Sequence, residues 1–404
     1  MPLKINSFIG LRPIKKLLST IVSSSFDNLS DKEIKRASRN TNWNFLNILS
    51  PKILFPNYSE KQLTKYVRDY LKSMIDNKVL FRDEVPNYYI YKLSKNSKTQ
   101  YGIIASIEIT KQSQKLILPH EETFIAKEKA ILRNLELTKT QVGPVYLSYE
   151  NKNDLILLYK RYAKIKPEYF FISEGGTKHS LWATKNDKDR KDIHKALAKI
   201  KKLYIADGHH RFAAVTKLLN RVKNKNIKSI PLLAALFDHS SVNILSYNRL
   251  VKLKDNNPEE ILHLIKKSFP NLKYSKFKKP NTKGEVMIFI CRKWFTFNLL
   301  KTTSSTDNSK STDIDLINKL IINKICRIKK NEYKNHISFL PGKLNYKDLE
   351  KKAKNNKTSI GFFVCPMTMH EIMSISNKNA IVPQKSTYFD PKLIDGLVNL
   401  EMKL

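Results

Sequence analysis

The stretch Leu203–Val215, LYIADGHHRFAAV, sets two adjacent histidines between an aspartate–glycine pair and an arginine. The residues before the cluster, KKLYIA (201–206), are short and apolar enough for a strand. Those after it, HHRFAAVTKLLNRV, place Phe212, Val215 and Leu219 at helical spacing. Asp207–Arg211 is therefore predicted to sit on a strand-to-helix turn. There the N–H groups of a helix start and the helix dipole together favour an anion. Gly208 permits a tight turn and a close backbone approach. Arg211 brings a planar fork suited to phosphate oxygens. His209 and His210 can donate to a phosphate or move a proton. Asp207 can accept a proton or simply cap the helix. A basic run at a helix start is unfavourable for the dipole unless an anion is present, which favours phosphate binding over capping alone. Adjacent histidines project differently, unlike the i, i+4 pair that grips zinc, so no metal site is assigned.

Around this turn the chain reads as a mixture of helices and strands. Ser30 and Glu33 have capping-box spacing at the head of LSDKEIKRASRN, after an extended, loop-like stretch from 5 to 30. SEKQLTKYVRDYLKSMIDNKVL has Leu63, Val67, Tyr70, Leu71 and Met74 at helical spacing, with Ser59 as N-cap. NYYIYKLS and YGIIASIEI read as paired strands. PVYLSYE and DLILLYKRYA read as strand or buried helix. YFFISEGGTKHSLWAT reads as strand, glycine turn, strand, and DRKDIHKALAKIKK as a helix. IPLLAALFDHSSVNILSYNRLVK is strand-like on both sides of a polar turn, NPEEILHLIKKSF is helical, and KGEVMIFICRKWFTFNLL forms a hairpin. The Ser/Thr-rich stretch 300–313 is expected to be mobile. Beyond it come helix NYKDLEKKAKNN, strand SIGFFVCPM, helix TMHEIMSISNKN and a polar, turn-rich tail. With no regular βαβ alternation, the expected class is α+β with mixed sheets.

The chain has 404 residues, 41% hydrophobic and 27% charged, enough for a packed core. No apolar run approaches the roughly 20 residues of a membrane helix, and the first residues lack a signal-peptide pattern. A cytoplasmic protein without a membrane partner is expected. Cys291, Cys326 and Cys365 are widely spaced and read as free thiols. Lys and Arg total 74 against 36 Asp and Glu, a net charge of +38. The excess is mainly lysine, scattered along the chain and accompanied by abundant Asn and Ile, as AT-rich coding produces. This disfavours nucleic acid as the partner, although such a surface still attracts anionic substrates.

Other candidate groups are weaker. PHEETF sets His120 and Glu121 ahead of a helix, but it is not HExxH and supports no zinc protease. PQKSTYFDPKLIDGL collects Lys385, Ser386, Thr387 and Lys392 in a turn-rich stretch, where they can close over a phosphate or simply cap and solvate. In SEGGTKHSLW, Glu174, Gly175, Gly176 and His179 need be no more than a hairpin turn. Walker A, GxGxxG and GxSxG sequences do not occur, which removes P-loop, Rossmann and hydrolase-elbow mechanisms.

These blocks together resemble the DUF1015 family over nearly the whole of residues 1–404. YIADGHHRFAA looks like the family signature. FIGLRP, SSSFDNLSDKE and NFLNILSPKI stand in its N-terminal blocks, LPHEETF in its His-Glu-x-Thr block, and VGPVYLSY in a strand block. HSLWAT precedes the signature, NILSYNRLV follows it, and VPQKSTYFDPKLIDGLV closes the chain. Two departures stand out. A Pro-Pro-Tyr-Asp run is replaced by SSFDN, which keeps Asp27, and a usual His-Arg pair is Asn248–Arg249. The signature is similar to the G-x-x-R turn of the ParB/sulfiredoxin superfamily, where a strand-turn-helix site binds nucleotide phosphates and some members are free-serine kinases. Family genes also tend to lie beside genes of phosphoserine synthesis.

The resemblance thus implies phosphoryl transfer between a nucleotide, ATP or ADP with Mg²⁺, and a small hydroxyl metabolite. That metabolite is free L-serine or phosphoserine, with the protein acting as a serine kinase or, in reverse, dephosphorylating phosphoserine. On this reading Asp207, His209, His210 and Glu121 are catalytic. Gly208, His209, His210, Arg211, Lys385, Ser386, Thr387 and Lys392 hold the nucleotide phosphates, and His120 and Arg249 face the substrate. The expected parts are 1–150, a ParB-like core at 151–260, and 261–404. Two other functions fit less fully: a ParB-like nucleotide-dependent DNA-binding protein, and a phosphometabolite sensor without turnover.

Overall fold

A computed structural model describes the whole chain except residues 1, 25, 27, 28, 40, 41, 151–153, 223–225, 255, 256, 302–310, 356, 357 and 404. Asp27 and most of the stretch 300–313 lie outside the described residues. The chain forms two compact units, one of residues 1–242 with 391–404 and one of residues 243–390. The borders expected at 150 and 260 fall elsewhere. Residue 150 directly follows a strand inside the largest sheet of the first unit, and the second unit already opens with a strand at Ile244–Lys252.

In the first unit the described residues form a nine-stranded mixed sheet. Its strands are β1 (Ile5–Asn6), β2 (Tyr89–Lys95), β3 (Lys98–Ile109), β4 (Ile117–Leu118), β5 (Val145–Tyr149), β6 (Tyr169–Ile172), β7 (Lys178–Ala183), β8 (Leu203–Asp207) and β9 (Ile230–Asp238). They run in the order β6-β7-β2-β3-β9-β5-β8-β4, with β1 also on β3. β2 and β3 form a hairpin, as do β6 and β7 through the Gly175–Gly176 turn. β9 is buried along its length, with Ile230 and Leu232–Phe237 all at 0% exposure, because neighbours flank both its edges and side chains cover both its faces. That is why its sequence runs apolar rather than alternating.

Three helices matter for the site: α1 (Glu60–Asp76), α2 (Ile125–Thr138) and α3 (His209–Arg221). α1 starts with a full capping box, Ser59 and Gln62 bonding reciprocally, and buries Leu63, Val67, Leu71 and Met74 at the predicted spacing. α3 buries Ala214, Val215, Leu218 and Leu219 in the main core. The Ser30–Glu33 box forms at the head of a helix at Asp31–Arg39. DLILLYKRYA resolves as a helix, Ile156–Ala163.

Two expectations change. Residues 5–30, read as extended and loop-like, contain a fully buried strand at Gly10–Pro13 and a short helix at Leu18–Ile21. The strand lies in a four-stranded sheet beside Asn399–Glu401 from the tail. The tail is likewise not simply polar turn. Thr387–Phe389, Ile394–Asp395 and Asn399–Glu401 are strands, all but Glu401 buried. Their pairing partners lie far away in sequence, so local polarity gave no sign of it.

The second unit contains a seven-stranded sheet among its described residues, centred on Ser359–Val364 between Glu285–Ile290 and Ile244–Lys252. Helices at Pro258–Ser268, Tyr346–Lys354 and Met369–Asn377 accompany it. Both units are thus α+β with mixed or antiparallel sheets. Among the described residues no helix is long and apolar enough to cross a membrane.

Candidate functional site: a strand-turn-helix anion site

β8 pairs parallel with β4, Leu203 opposite Ile117 and Tyr204 opposite Leu118. Parallel pairing brings the C-terminal ends of both strands to one edge, so His120 arrives beside the end of β8. On its other side β8 is antiparallel to β5, and the register shifts between Ile205 and Asp207. Such an irregularity re-aims the side chain that follows it. Gly208 then turns the chain with φ +93°, and α3 begins at His209. The strand-turn-helix read from LYIADGHHRFAAV is present as expected.

Only glycine adopts that φ at little cost, and a Cβ at Gly208 would also touch Val145 at 3.4 Å. Gly208→Ala is expected to lower stability by about 1–2 kcal/mol, read from urea unfolding, and to weaken any anion held at the turn. A wild-type midpoint in the variant would contradict this account of the turn.

Gly208, the N-cap of α3, offers its first turn no side-chain bond, and that turn carries no acidic residue. The acid sits on the strand side instead. Asp207 Oδ1 accepts from the Gly208 N–H at 2.9 Å, and Oδ2 accepts from Lys392 Nζ at 2.8 Å. Both side chains are only partly covered, Asp207 at 25% exposure and Lys392 at 17%. Burial opposes the charge on Asp207, but Lys392, Arg211 and His209 outweigh it and hold the carboxyl well below its usual range. Asp207 is therefore a fixed anion and a weak base.

Arg211 lies beneath the turn, 8% exposed. Its Nη1 donates to the Pro144 carbonyl at 2.6 Å and stands 3.7 Å from Asp395 Oδ1, a carboxylate that is fully buried. A Cβ at Gly143 would collide with that carboxylate, so the close approach needs glycine. His209 and His120 meet edge to face with ring centroids 4.7 Å apart, and the His120 backbone N–H points at His209 Nε2 at 3.5 Å. Burial, with His120 next, pushes His209 well below the usual histidine range; burial pushes His120 down to about 4. His210 Nε2 accepts from the Phe124 N–H at 2.9 Å, and its ring stacks on Phe124. Glu121 follows His120 on the same connection and is partly exposed.

These buried neutral histidines imply a definite pH response. His120 and His179 are both at 0% exposure with values near 4 and 3 in the folded chain, against 6.5 for a free histidine. Below 6.5 the unfolded chain takes up protons that the folded chain refuses, so stability is full above that pH and falls as pH drops toward 4. Each histidine contributes a slope of about 1.4 kcal/mol per pH unit. Stability measured from pH 7 to 4 should show this fall, and His120→Gln should flatten it. An unchanged slope in the variant would count against a neutral buried His120.

The structure brings Asp207, Gly208, His209, His210, Arg211, His120 and Lys392 together in the first unit. Arg249, Lys385, Ser386 and Thr387 belong to the second unit. Arg249 is 1% exposed, donates to the Tyr247 and Lys385 carbonyls at 3.0 and 3.5 Å, and lies over the Phe339 ring. Lys385 has φ +57° and its Nζ lies over the Tyr247 ring, while Ser386 Oγ donates to the Pro383 carbonyl. Thr387 pairs with Ser246.

Sequence reading missed Asp395, Glu128 and Lys217. Asp395 faces Arg211, and buried Glu128 on α2 binds Thr123 and Lys217 of α3. An acid inside the apolar run LIDGLV was the available signal for Asp395. The Glu128–Lys217 pair had none, since 89 residues separate its partners.

Fold and turn define an α+β protein with a basic strand-turn-helix site. The chain belongs to the DUF1015 family, described as proteins of unknown function, which it matches over residues 5–320. No curated protein shows significant similarity to it. Among solved structures it is similar to a free serine kinase in complex with AMP, with 15% identity, a TM-score of 0.37, and coverage of 74% of this chain and 92% of that one. It is also similar to SbnI with a C-terminal truncation from Staphylococcus aureus, at 8% identity, a TM-score of 0.38 and coverage of 72% and 85%. A conserved hypothetical protein from Pyrococcus furiosus matches at 14% identity and a TM-score of 0.35, covering 76% and 97%.

Proposed function

We propose that this protein transfers a phosphoryl group between a nucleotide and a small hydroxyl metabolite, with free L-serine or phosphoserine as that metabolite. The observation that carries the reading is the Lys392–Asp207 pair, mounted on Gly208, which as N-cap offers the helix start no side-chain bond. Backbone N–H groups of the turn and the Lys392 ammonium are the groups to hold phosphate oxygens, because both present positive charge to one edge of the sheet. Arg211 adds its charge from beneath the turn while bracing Pro144 and Asp395. Asp207 orients Lys392. His209 is neutral, so it offers hydrogen bonds without repelling other cations, and His210 lines the second position of the helix. Glu121, beside His120, is the group to accept the metabolite's proton. The choice of serine rests on the resemblance of the signature to free-serine kinases.

Mg²⁺ needs a separate test against the residues present. Among the described residues no three His, Cys, Asp or Glu side chains converge on one point. Both Asp207 oxygens already accept hydrogen bonds. The described residues build no cation site of their own here, and no step above passes through a metal.

The test is phosphorus NMR of the purified protein with Mg²⁺, given serine plus ATP or ADP, and separately phosphoserine with and without nucleotide. Phosphoserine gained or lost by wild type, but not by Lys392→Met, is the expected outcome and gives the direction. No turnover in any mixture would overturn the reading.

A further inference from the structure

The sequence motif SEGGTKHSLW is left unused by the anion site, yet it builds one wall of a second feature. A cavity of 390 Å³ lies in the first unit, lined among others by Thr20, Ser23, Ser24, Arg36, Ser173 and Glu174. It is ample for a small metabolite and several waters. Its lining is rich in hydroxyls, and two of them stand out.

First, Ser23 is 8% exposed, and its Oγ has no hydrogen-bond partner among the described residues. Second, Ser173 is held by a relay. Its Oγ lies 3.1 Å from His179 Nε2, and His179 Nδ1 lies 2.7 Å from Tyr91 Oη. The His179 ring is clamped flat against Phe171, with centroids 4.7 Å apart. Burial pushes His179 down to about 3, so the ring is neutral and carries one proton. The ring thus bridges Tyr91 and Ser173 through its two nitrogens. Ser173 Oγ also donates to the Thr177 carbonyl at 3.4 Å, which leaves an oxygen lone pair to accept from a ligand hydroxyl.

The rim adds opposite charges. Arg36 and Glu174 meet at only 3.5 Å, with side chains 69% and 86% exposed, so little holds them together. Such a loose pair can separate to meet a carboxylate and an ammonium on one ligand. The cavity also adjoins the anion site through one strand. Ile394 lines it, the next residue Asp395 faces Arg211, and Ser23–Ser24 pairs with that strand.

We infer that this cavity binds a small zwitterionic hydroxy compound of the α-amino-acid class, with Ser173, oriented by His179 and Tyr91, reading the ligand's hydroxyl and Arg36 its carboxylate. This deepens the phosphotransfer reading by giving the hydroxyl substrate its own pocket, and it rests on that reading for the ligand's fate but not for its binding.

The experiment is calorimetric titration of the full chain with L-serine and with L-alanine, which lacks only the hydroxyl. Wild type is expected to bind serine about tenfold or more tightly over alanine, since a site built to bond a hydroxyl rejects the analogue without it. Ser173→Ala should collapse that ratio toward one, with its circular dichroism and melting unchanged. Arg36→Ala should weaken both ligands alike. The inference fails if neither amino acid gives saturable heat, or if the ratio survives Ser173→Ala. Selective binding without phosphoryl transfer would sink the phosphotransfer reading and leave the pocket standing. Turnover of serine with a KM indifferent to Ser173 and Arg36 would do the reverse.

Discussion

Arg211→Met is expected to lower stability at pH 7 by about 3–5 kcal/mol, the cost of leaving one member of a buried ion pair without its partner. The side chain is 8% exposed, and it faces a carboxylate, Asp395, at 0% exposure. Its Nη1 also satisfies the Pro144 carbonyl. Truncation therefore strands a buried charge and a buried acceptor at once. Asp395→Asn in the same chain should return about 1–3 kcal/mol, because the pair is coupled and the stranded charge is gone. Urea unfolding of wild type, both single variants and the double variant measures this cycle. A loss below about 1 kcal/mol in Arg211→Met would show that the guanidinium is not the brace described. The consequence for function is that inactivity of an Arg211 variant says little about phosphate contact unless its folding is measured beside it.

Lys392→Met should have the largest effect on chemistry, lowering kcat/KM for phosphoryl transfer about 10²–10³-fold, as loss of one preorganised charge-stabilising donor does. The same variant carries a pH signature that separates it from general damage. Asp207 has a folded value depressed below its ordinary 3.8, so it contributes stability that is present above that pH and is lost as pH falls through the lower folded value. Lys392 is the foremost of the groups that oppose the effect of burial there. Without it the carboxyl moves up toward its ordinary value, so the acid-dependent loss that Asp207 contributes is displaced into a narrower range and becomes smaller than in wild type. Acid titrations of the two proteins, followed by circular dichroism, should show that displacement. Coincident acid limbs would mean that Lys392 does not set the state of Asp207.

Legibility followed the range of the interactions. The helix at Glu60–Asp76 announced itself through Ser59 and a set of apolar residues at helical spacing, all of which act within one segment. The turn at Gly208 was equally local, since a glycine between a strand and a helix states its own geometry. Pairing across the chain was not legible. Gly10–Pro13 is buried because Asn399–Glu401 lies beside it, and nothing near residue 10 foretells a partner near 400. Arg211 shows the same limit at the site. Its type suggested a phosphate fork, but only the fold could show Asp395 and Pro144 waiting beneath it. Lys392 was read as one of several basic groups in a polar tail, and its selection by Asp207, 185 residues away, is a tertiary fact.

Residues 391–404 return to the first unit after an excursion of 148 residues, 243–390, through the second. Lys392 and Asp395 ride on that return. A ribosome delivers β8, Gly208 and α3 early, then must release all of the second unit before either tail residue exists to complete the turn. The nascent first unit therefore waits with Arg211 and Asp207 lacking their charge partners, open to chaperones and proteases, until the last segment threads home. Slow folding of the inserted unit would show up as delayed competence of a site it does not itself contain, and a circular permutant that begins at residue 391 would present that segment first.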